Sequence, residues 1–275
     1  VRFDRGGVVA AGLALSLGLV TAACGDDGGE PSTAPTAATT SASGSTQPAP
    51  SRPDGRALDG KTIALDPGHN GKNGANASKI ARKVQIGNGS KECDTTGTST
   101  NDGYSEAAFT WDVTQRLAKI LRGQGAKIVL TREDNDGWGP CIDQRAGIGN
   151  KAKADAALSV HADGAAASSH GFHVIEPGPV RGMPASVVRA SNELGRDVRD
   201  AFERDSGFTP SNYIGDDGID RRTDLGGLNL STVPKVFVEC GNMRNAGDAA
   251  KMTSAQGRQR IAEALAKGLG NYLRG

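Results

Sequence analysis

Residues 105–131 read SEAAFTWDVTQRLAKILRGQGAKIVLT, and the change of pattern inside this stretch decides the fold class. Ser105 stands where a helix cap belongs, and Phe109, Val113, Leu117, Ile120 and Leu121 recur at helical spacing until Gly123 and Gly125 break the pattern. Ala126 to Thr131 then forms a short run of β-forming residues, which predicts a strand. Upstream, Lys61-Thr-Ile-Ala-Leu65 is a second apolar run, stopped by the turn residues Asp66-Pro67-Gly68. Strand, helix and strand in that order form the unit of a parallel sheet with a helical crossover. Downstream the alternation goes on, with strands predicted over 156–160, 171–175 and 235–239 and helices over 142–153, 185–202 and 254–273. The fold class is therefore α/β, in one domain over residues 58–275. Within it, residues 70–103 are polar and rich in Gly, Asn, Thr and Lys, too long for an ordinary connection and too poor in apolar residues for a core element.

Before this domain the chain changes character twice. Arg2 and Arg5 precede an apolar run from Val8 to Val20, and Thr21-Ala22-Ala23 supplies the small residues of a cleavage site, so residues 1–23 read as an export signal. The run is too short to span a bilayer comfortably, which takes about 20 residues. Cys24 follows at once, a placement that resembles the lipid-attachment site of bacterial lipoproteins. Membrane anchoring through acylated Cys24 is expected, with plain secretion after cleavage at the same bond as the alternative. From Gly25 to Ala57 the chain is mostly Gly, Ala, Ser, Thr and Pro, with no Val, Ile, Leu, Met or aromatic residue, so it cannot bury a core. Residues 24–57 read as the attachment cysteine and a tether. The formal net charge of +1 leaves no field for gripping nucleic acid, and no exposed apolar stripe is evident, so a monomer is expected.

Export places the domain where disulfides persist. With Cys24 accounted for and Cys240 ending an apolar strand, Cys93 and Cys141 are the expected pair.

Four histidines occur, and two of them, His69 and His161, directly follow predicted strands. In open α/β sheets that edge is where sites form. Glu106, in the first turn of its helix, brings a carboxylate to the same rim. Two imidazole nitrogens and one carboxylate oxygen hold one zinc ion and leave its fourth position open. Glu239 ends the apolar run Val236-Phe-Val, and a carboxylate there is suited to take a proton from water and return it to a leaving amine. His170 and His173 are a rival pair, but a spacing of three puts them on opposite faces of a strand, so they read as structural or surface residues. Cys240 reads as a buried, inert thiol rather than a nucleophile.

Taken in order, Leu65-Asp-Pro-Gly-His69, Glu106-Ala-Ala-Phe, Val129-Leu-Thr-Arg132, Arg145 ahead of Asn150, Ser159-Val-His-Ala-Asp163 and Glu239 ahead of Gly241 and Asn245 resemble the zinc-dependent N-acetylmuramoyl-L-alanine amidases of bacterial cell walls. The segment Glu239-Cys-Gly-Asn-Met-Arg-Asn245 is most similar to their mycobacterial and actinobacterial branch. The resemblance covers about Lys61 to Arg274. It implies a mixed sheet flanked by helices, His69, Glu106 and His161 as zinc ligands, Glu239 as the catalytic carboxylate, and peptidoglycan or muropeptide fragments as substrate. Asn70 stands where the family usually has Gly, and Asn242-Met243 replace an aromatic and aliphatic pair. Arg244 is a candidate partner for a stem-peptide carboxylate. Two other readings remain open: a muropeptide-binding module without turnover, and a metallopeptidase cutting within the stem peptide.

Overall fold

The structure, a computed structural model, describes residues 56–275. The predicted export signal, Cys24 and all but the end of the tether lie outside those residues. The strands are β1 (Thr62–Pro67), β2 (Lys83–Gln85), β3 (Ser90–Glu92), β4 (Lys127–Leu130), β5 (Ala156–Asp163), β6 (His173–Pro177), β7 (Ile219–Arg222) and β8 (Lys235–Asn242). The α-helices are α1 (Ala77–Ile80), α2 (Glu106–Gly123), α3 (Ile142–Lys151), α4 (Ala185–Asp205), α5 (Gly226–Asn229), α6 (Ala246–Thr253) and α7 (Ala255–Arg274). Six strands form one sheet in the order β4-β1-β5-β8-β6-β7. β1, β4, β5 and β8 run parallel, whereas β6 pairs antiparallel with β8 and carries β7 parallel to itself, so the sheet is mixed. Among the described residues, no helix is long and apolar enough to cross a membrane.

Side-chain alternation gives the two faces of this sheet different chemistry. Leu158, Val160 and Ala162 of β5 and Val236, Val238 and Cys240 of β8 point into the main core, where they meet α2, α4 and α7. Those helices form for legible reasons. Ser105 accepts a hydrogen bond from Ala108 N at the start of α2, Ser254 accepts one from Gly257 N at the start of α7, and Ile261, Leu265, Leu269 and Leu273 lie along one stripe of α7. The alternate residues, Ser159, His161 and Asp163 with Lys235, Phe237 and Glu239, face the other way. Among the described residues, the short elements α3 and α5 pack on that side, with the β2–β3 hairpin against α3. A polar, thinly covered face is what lets a groove open at the strand ends.

Two differences from the sequence reading have physical causes. The polar stretch 70–103 contains α1 and the β2–β3 hairpin, and Ile80, Val84 and Ile86 within it are buried. Their spacing matches neither period, because each element is at most four residues long. β7 reads Ile-Asp-Arg-Arg, with no alternation to betray it, since it is a sheet edge packed on one side only.

Cys93 and Cys141 form the disulfide, closing a separation of 48 residues, and Cys240 is free and buried. Loop-closure entropy puts the stabilisation at about 4 kcal/mol as an upper figure. Replacing both cysteines by serine is therefore expected to lower the denaturant midpoint, and adding reductant to the wild type to shift it in the same direction. Equal midpoints in all three samples would show that the crosslink does not stabilise the fold.

Candidate metal centre and groove

The rim of the sheet brings together residues far apart in sequence. β1 ends in Asp66-Pro67, and after Gly68 the next residue, His69, is held in the left-handed region at φ 58°. A side chain at Gly68 would run into the His161 ring, so glycine is what lets the two imidazoles approach. Their ring centroids are 4.9 Å apart and nearly perpendicular. Glu106 enters from the first turn of α2, with Oε1 3.2 Å from His69 Nε2 and 3.0 Å from His161 Nδ1. One ligand atom from each of the three residues lies within 4.8 Å of the others.

Each of the three side chains is held from behind. His69 Nδ1 lies 3.1 Å from Thr95 O and 3.2 Å from Asp94 Oδ1, so its protonated nitrogen is turned away from Glu106 and Nε2 is left towards it. Glu106 Oε2 accepts the backbone N–H of Thr98 at 2.9 Å. The ring of His161 stacks on Phe237 at 5.3 Å between centroids. Burial works against charge on His69, but Glu106 and Asp94 outweigh it and raise the imidazole pKa well above its usual value. Burial likewise opposes the Glu106 carboxylate, and His69 and His161 more than offset it, holding its pKa far below the carboxylate range. A field that favours a proton on His69 favours a metal cation in the same place, and two imidazoles with one carboxylate form a donor set suited to zinc. The residues therefore fit the metal.

Glu239 sits on β8 directly beside His161 of β5, the two being register partners. Its Oε2 is enclosed and accepts no hydrogen bond from any described residue. Burial, then the negative charges of Glu106 and Asp163, push its pKa well above the ordinary value. The two histidines, Glu106 and Glu239 line one cavity of about 400 Å³, and a smaller apolar arm of about 190 Å³ continues past His69 towards Ile142 and Gly226.

The loop carrying His69 rests on buried charges. Arg145 donates to Pro67 O and His69 O at 2.8 and 2.9 Å and pairs with Asp66 at 2.8 Å, while Arg132 donates to Pro67 O at 3.0 Å and Ala107 O at 3.1 Å. Asn70 donates to Asp94 Oδ2 at 3.1 Å, which gives this departure from the usual glycine a partner. Asn150 joins the edge by donating to Leu230 O and accepting from Thr232 N, each at 2.8 Å.

Other residues fall elsewhere. Arg244 does not line the cavity; it lies at the surface with Nη1 3.2 Å from Asn101 Oδ1. His170 is exposed and His173 buried, and they share no site. Burial, followed by the charges of Glu239 and Glu106, pushes the Cys240 thiol pKa well up, in keeping with an inert residue. Sequence reasoning missed Asp94, Phe237 and Arg222. Asp94 follows Cys93 inside the polar stretch with no spacing to mark it, Phe237 looks like any core residue of a strand, and Arg222 ends the unpatterned β7.

Comparison with known proteins gives consistent results. A family profile described as N-acetylmuramoyl-L-alanine amidase matches residues 63–271. An N-acetylmuramoyl-L-alanine amidase of Mycobacterium tuberculosis is 43% identical over 217 residues, which is 78% of this chain and 87% of that protein. The crystal structure of the N-acetylmuramyl-L-alanine amidase Ami1 from Mycobacterium smegmatis superposes with a TM-score of 0.74 at 40% identity, covering 78% of this chain and 98% of that one. Ami1 from Mycobacterium abscessus gives the same TM-score at 43% identity, over 78% of this chain and all of its own. With the profile spanning most of the chain and a relative of this identity matched over nearly its full length, the chain belongs to the N-acetylmuramoyl-L-alanine amidase family.

Proposed function

We propose that this chain is a zinc-dependent amidase that hydrolyses the bond between N-acetylmuramic acid and the L-alanine beginning the peptidoglycan stem peptide. It acts outside the cytoplasm, on wall polymer or released muropeptides, as a monomer tied to the membrane through acylated Cys24. The observation that carries the reading is the convergence of His69, Glu106 and His161 beside the enclosed carboxylate oxygen of Glu239. Family membership and the mycobacterial relatives support it.

His69 through Nε2, His161 and Glu106 would hold the ion. The chemistry zinc supplies in such a set is Lewis acidity, which polarises the amide carbonyl and acidifies water enough to attack near neutral pH. Glu239 does the proton work. Its Oε2 takes a proton from the attacking water and returns it to the amide nitrogen as the C–N bond breaks. The water oxygen ends on the lactyl carboxyl carbon, and the peptide leaves with a free L-alanine amine. Asp94 and Thr95 fix the tautomer of His69, Thr98 fixes the rotamer of Glu106, and Phe237 keeps the His161 ring from turning.

Mass spectrometry of an N-acetylmuramoyl pentapeptide incubated with the zinc-loaded chain tests the proposal. Free N-acetylmuramic acid and an intact peptide starting at L-alanine are expected, with cleavage lost on chelation and regained when zinc is added back. An unchanged substrate mass would favour a binding module or a larger wall polymer as the substrate, and peptides shortened within the stem would favour a metallopeptidase.

A further inference from the structure

The main cavity extends from the metal-side residues along β6 towards the end of β7, and its charges are unbalanced. Glu106, Asp163 and Glu239 are acids on its wall, and apart from the two histidines Arg222 is the one basic side chain lining it among the described residues. Arg222 pairs with Pro177, four residues along β6 from His173, and His173 pairs with Glu239. Side-chain alternation therefore puts Arg222 and Glu239 on the same face of the sheet.

The guanidinium is already half fixed. Nε and Nη2 donate to the two carboxylate oxygens of Asp224 at 2.9 and 2.8 Å, and Asp224 also receives Lys91 Nζ from the hairpin at 2.6 Å. This occupies one edge of the fork. Nη1 makes no hydrogen bond to a described residue, and the side chain is 34% exposed. A guanidinium has five N–H donors in a plane, so fixing one edge presets the other for a second carboxylate. The other cations nearby are engaged: Arg145 with Asp66 and backbone carbonyls, Lys91 with Asp224.

We propose that Arg222 binds the free α-carboxylate of the second stem residue, so that the groove prefers a stem bearing that acid over one bearing its amide. This rests on the amidase reading. In a stem linked through the γ-carboxyl of D-glutamate, the α-carboxylate is the first anion after the scissile bond, one residue past L-alanine, or about 4 Å further along the chain. The acids on the cavity wall repel it, and Arg222 offsets them. A carboxamide replaces one acceptor oxygen by a donor facing a donor, which loses the forked pairing.

The test compares N-acetylmuramoyl-L-alanyl-D-isoglutamate with N-acetylmuramoyl-L-alanyl-D-isoglutamine on the full zinc-loaded chain. Wild type is expected to show a KM about tenfold lower for the acid, the scale of one charge-assisted hydrogen bond. Arg222→Gln raises KM for the acid about tenfold, leaves kcat unchanged and moves KM for the amide less than twofold. Lys91→Gln, which breaks the link to the hairpin but leaves Arg222 on Asp224, keeps the preference for the acid. Equal KM values in wild type overturn the proposal, as does a Lys91→Gln variant that loses the preference as fully as Arg222→Gln. Cleavage of neither compound, with peptidoglycan polymer also left intact, would sink the amidase reading itself, and calorimetry with L-alanyl-D-isoglutamate and its amide then decides the point. Tighter binding of the acid, abolished by Arg222→Gln, supports the proposal, and equal affinities overturn it.

Discussion

Glu239→Gln is expected to lower kcat by between about a hundredfold and ten-thousandfold, the range spanned by a positioned general base, while zinc content stays at one per chain. The two halves of this result are read separately. Glutamine keeps the shape and the polar end of the side chain, so the groove is preserved, but it can no longer take a proton on Oε2. The three metal-side residues come from the loop after β1, from α2 and from β5, whereas Glu239 comes from β8, so its loss leaves the donor set intact. The melting temperature is expected to hold or rise, because the enclosed Oε2 has no hydrogen bond to lose. Turnover at near wild-type rates would place the base elsewhere. Loss of zinc together with activity would make Glu239 a ligand instead.

Asp66→Asn is expected to destabilise the fold by about 3–5 kcal/mol, the cost of leaving buried charges without their counterion. Asp66 lies beneath the His69 loop, within 2.8 Å of Arg145 and 3.3 Å of Lys235, and it also accepts from Thr131 at 2.6 Å and Ser159 at 2.8 Å. All five side chains are buried. Burial by itself would raise the Asp66 pKa, but Lys235 and Arg145, aided by Thr131, hold it well below the usual carboxylate value. The sign of the pH dependence follows. A carboxylate whose folded pKa is depressed contributes stability that is fully present above its unfolded pKa of about 4 and is lost as pH falls through the folded value. The gap between wild type and Asp66→Asn should therefore be constant above about pH 5 and narrow below about pH 4. Thermal melts at pH 7 and pH 3 check this, with a drop of about 10 °C expected at pH 7. A gap of the same size at both pH values would mean that the ion pairs are not what Asp66 contributes.

Much of this was legible in the sequence because the decisive residues interrupt strong patterns. His69 follows the turn that stops one apolar run, Glu239 ends another, and Glu106 follows a helix cap, so their position at the sheet rim followed from the pattern around them. Two of the central strands proved longer than predicted. β5 and β8 each continue three residues past the apolar run, since His161, Asp163 and Asn242 keep the extended backbone while carrying polar side chains into the groove or the loop beside it. What stayed hidden is held by tertiary contact alone. Nothing near Asp94 announces that it steadies His69 across 25 residues of chain. The direction of β6, which makes the sheet mixed, depends on pairing with β8 and has no local signature. Arg222 was hidden for a similar reason: Arg244 follows the Glu239 segment in sequence, whereas Arg222 reaches the cavity only because β7 lies alongside β6.

The disulfide joins more than two stretches of backbone. Cys93 adjoins Asp94, and Cys141 is four residues before Arg145; one of these neighbours holds the ring of His69 and the other its carbonyl oxygen. Asp94 and Arg145 also face each other at 3.4 Å. The crosslink therefore pins both halves of the cradle under a histidine whose left-handed backbone is unfavourable on its own. With the crosslink reduced, the cradle lacks its staple. The readiness of His69 therefore depends on the oxidation state of the Cys93–Cys141 pair, two residues that are not themselves in the donor set.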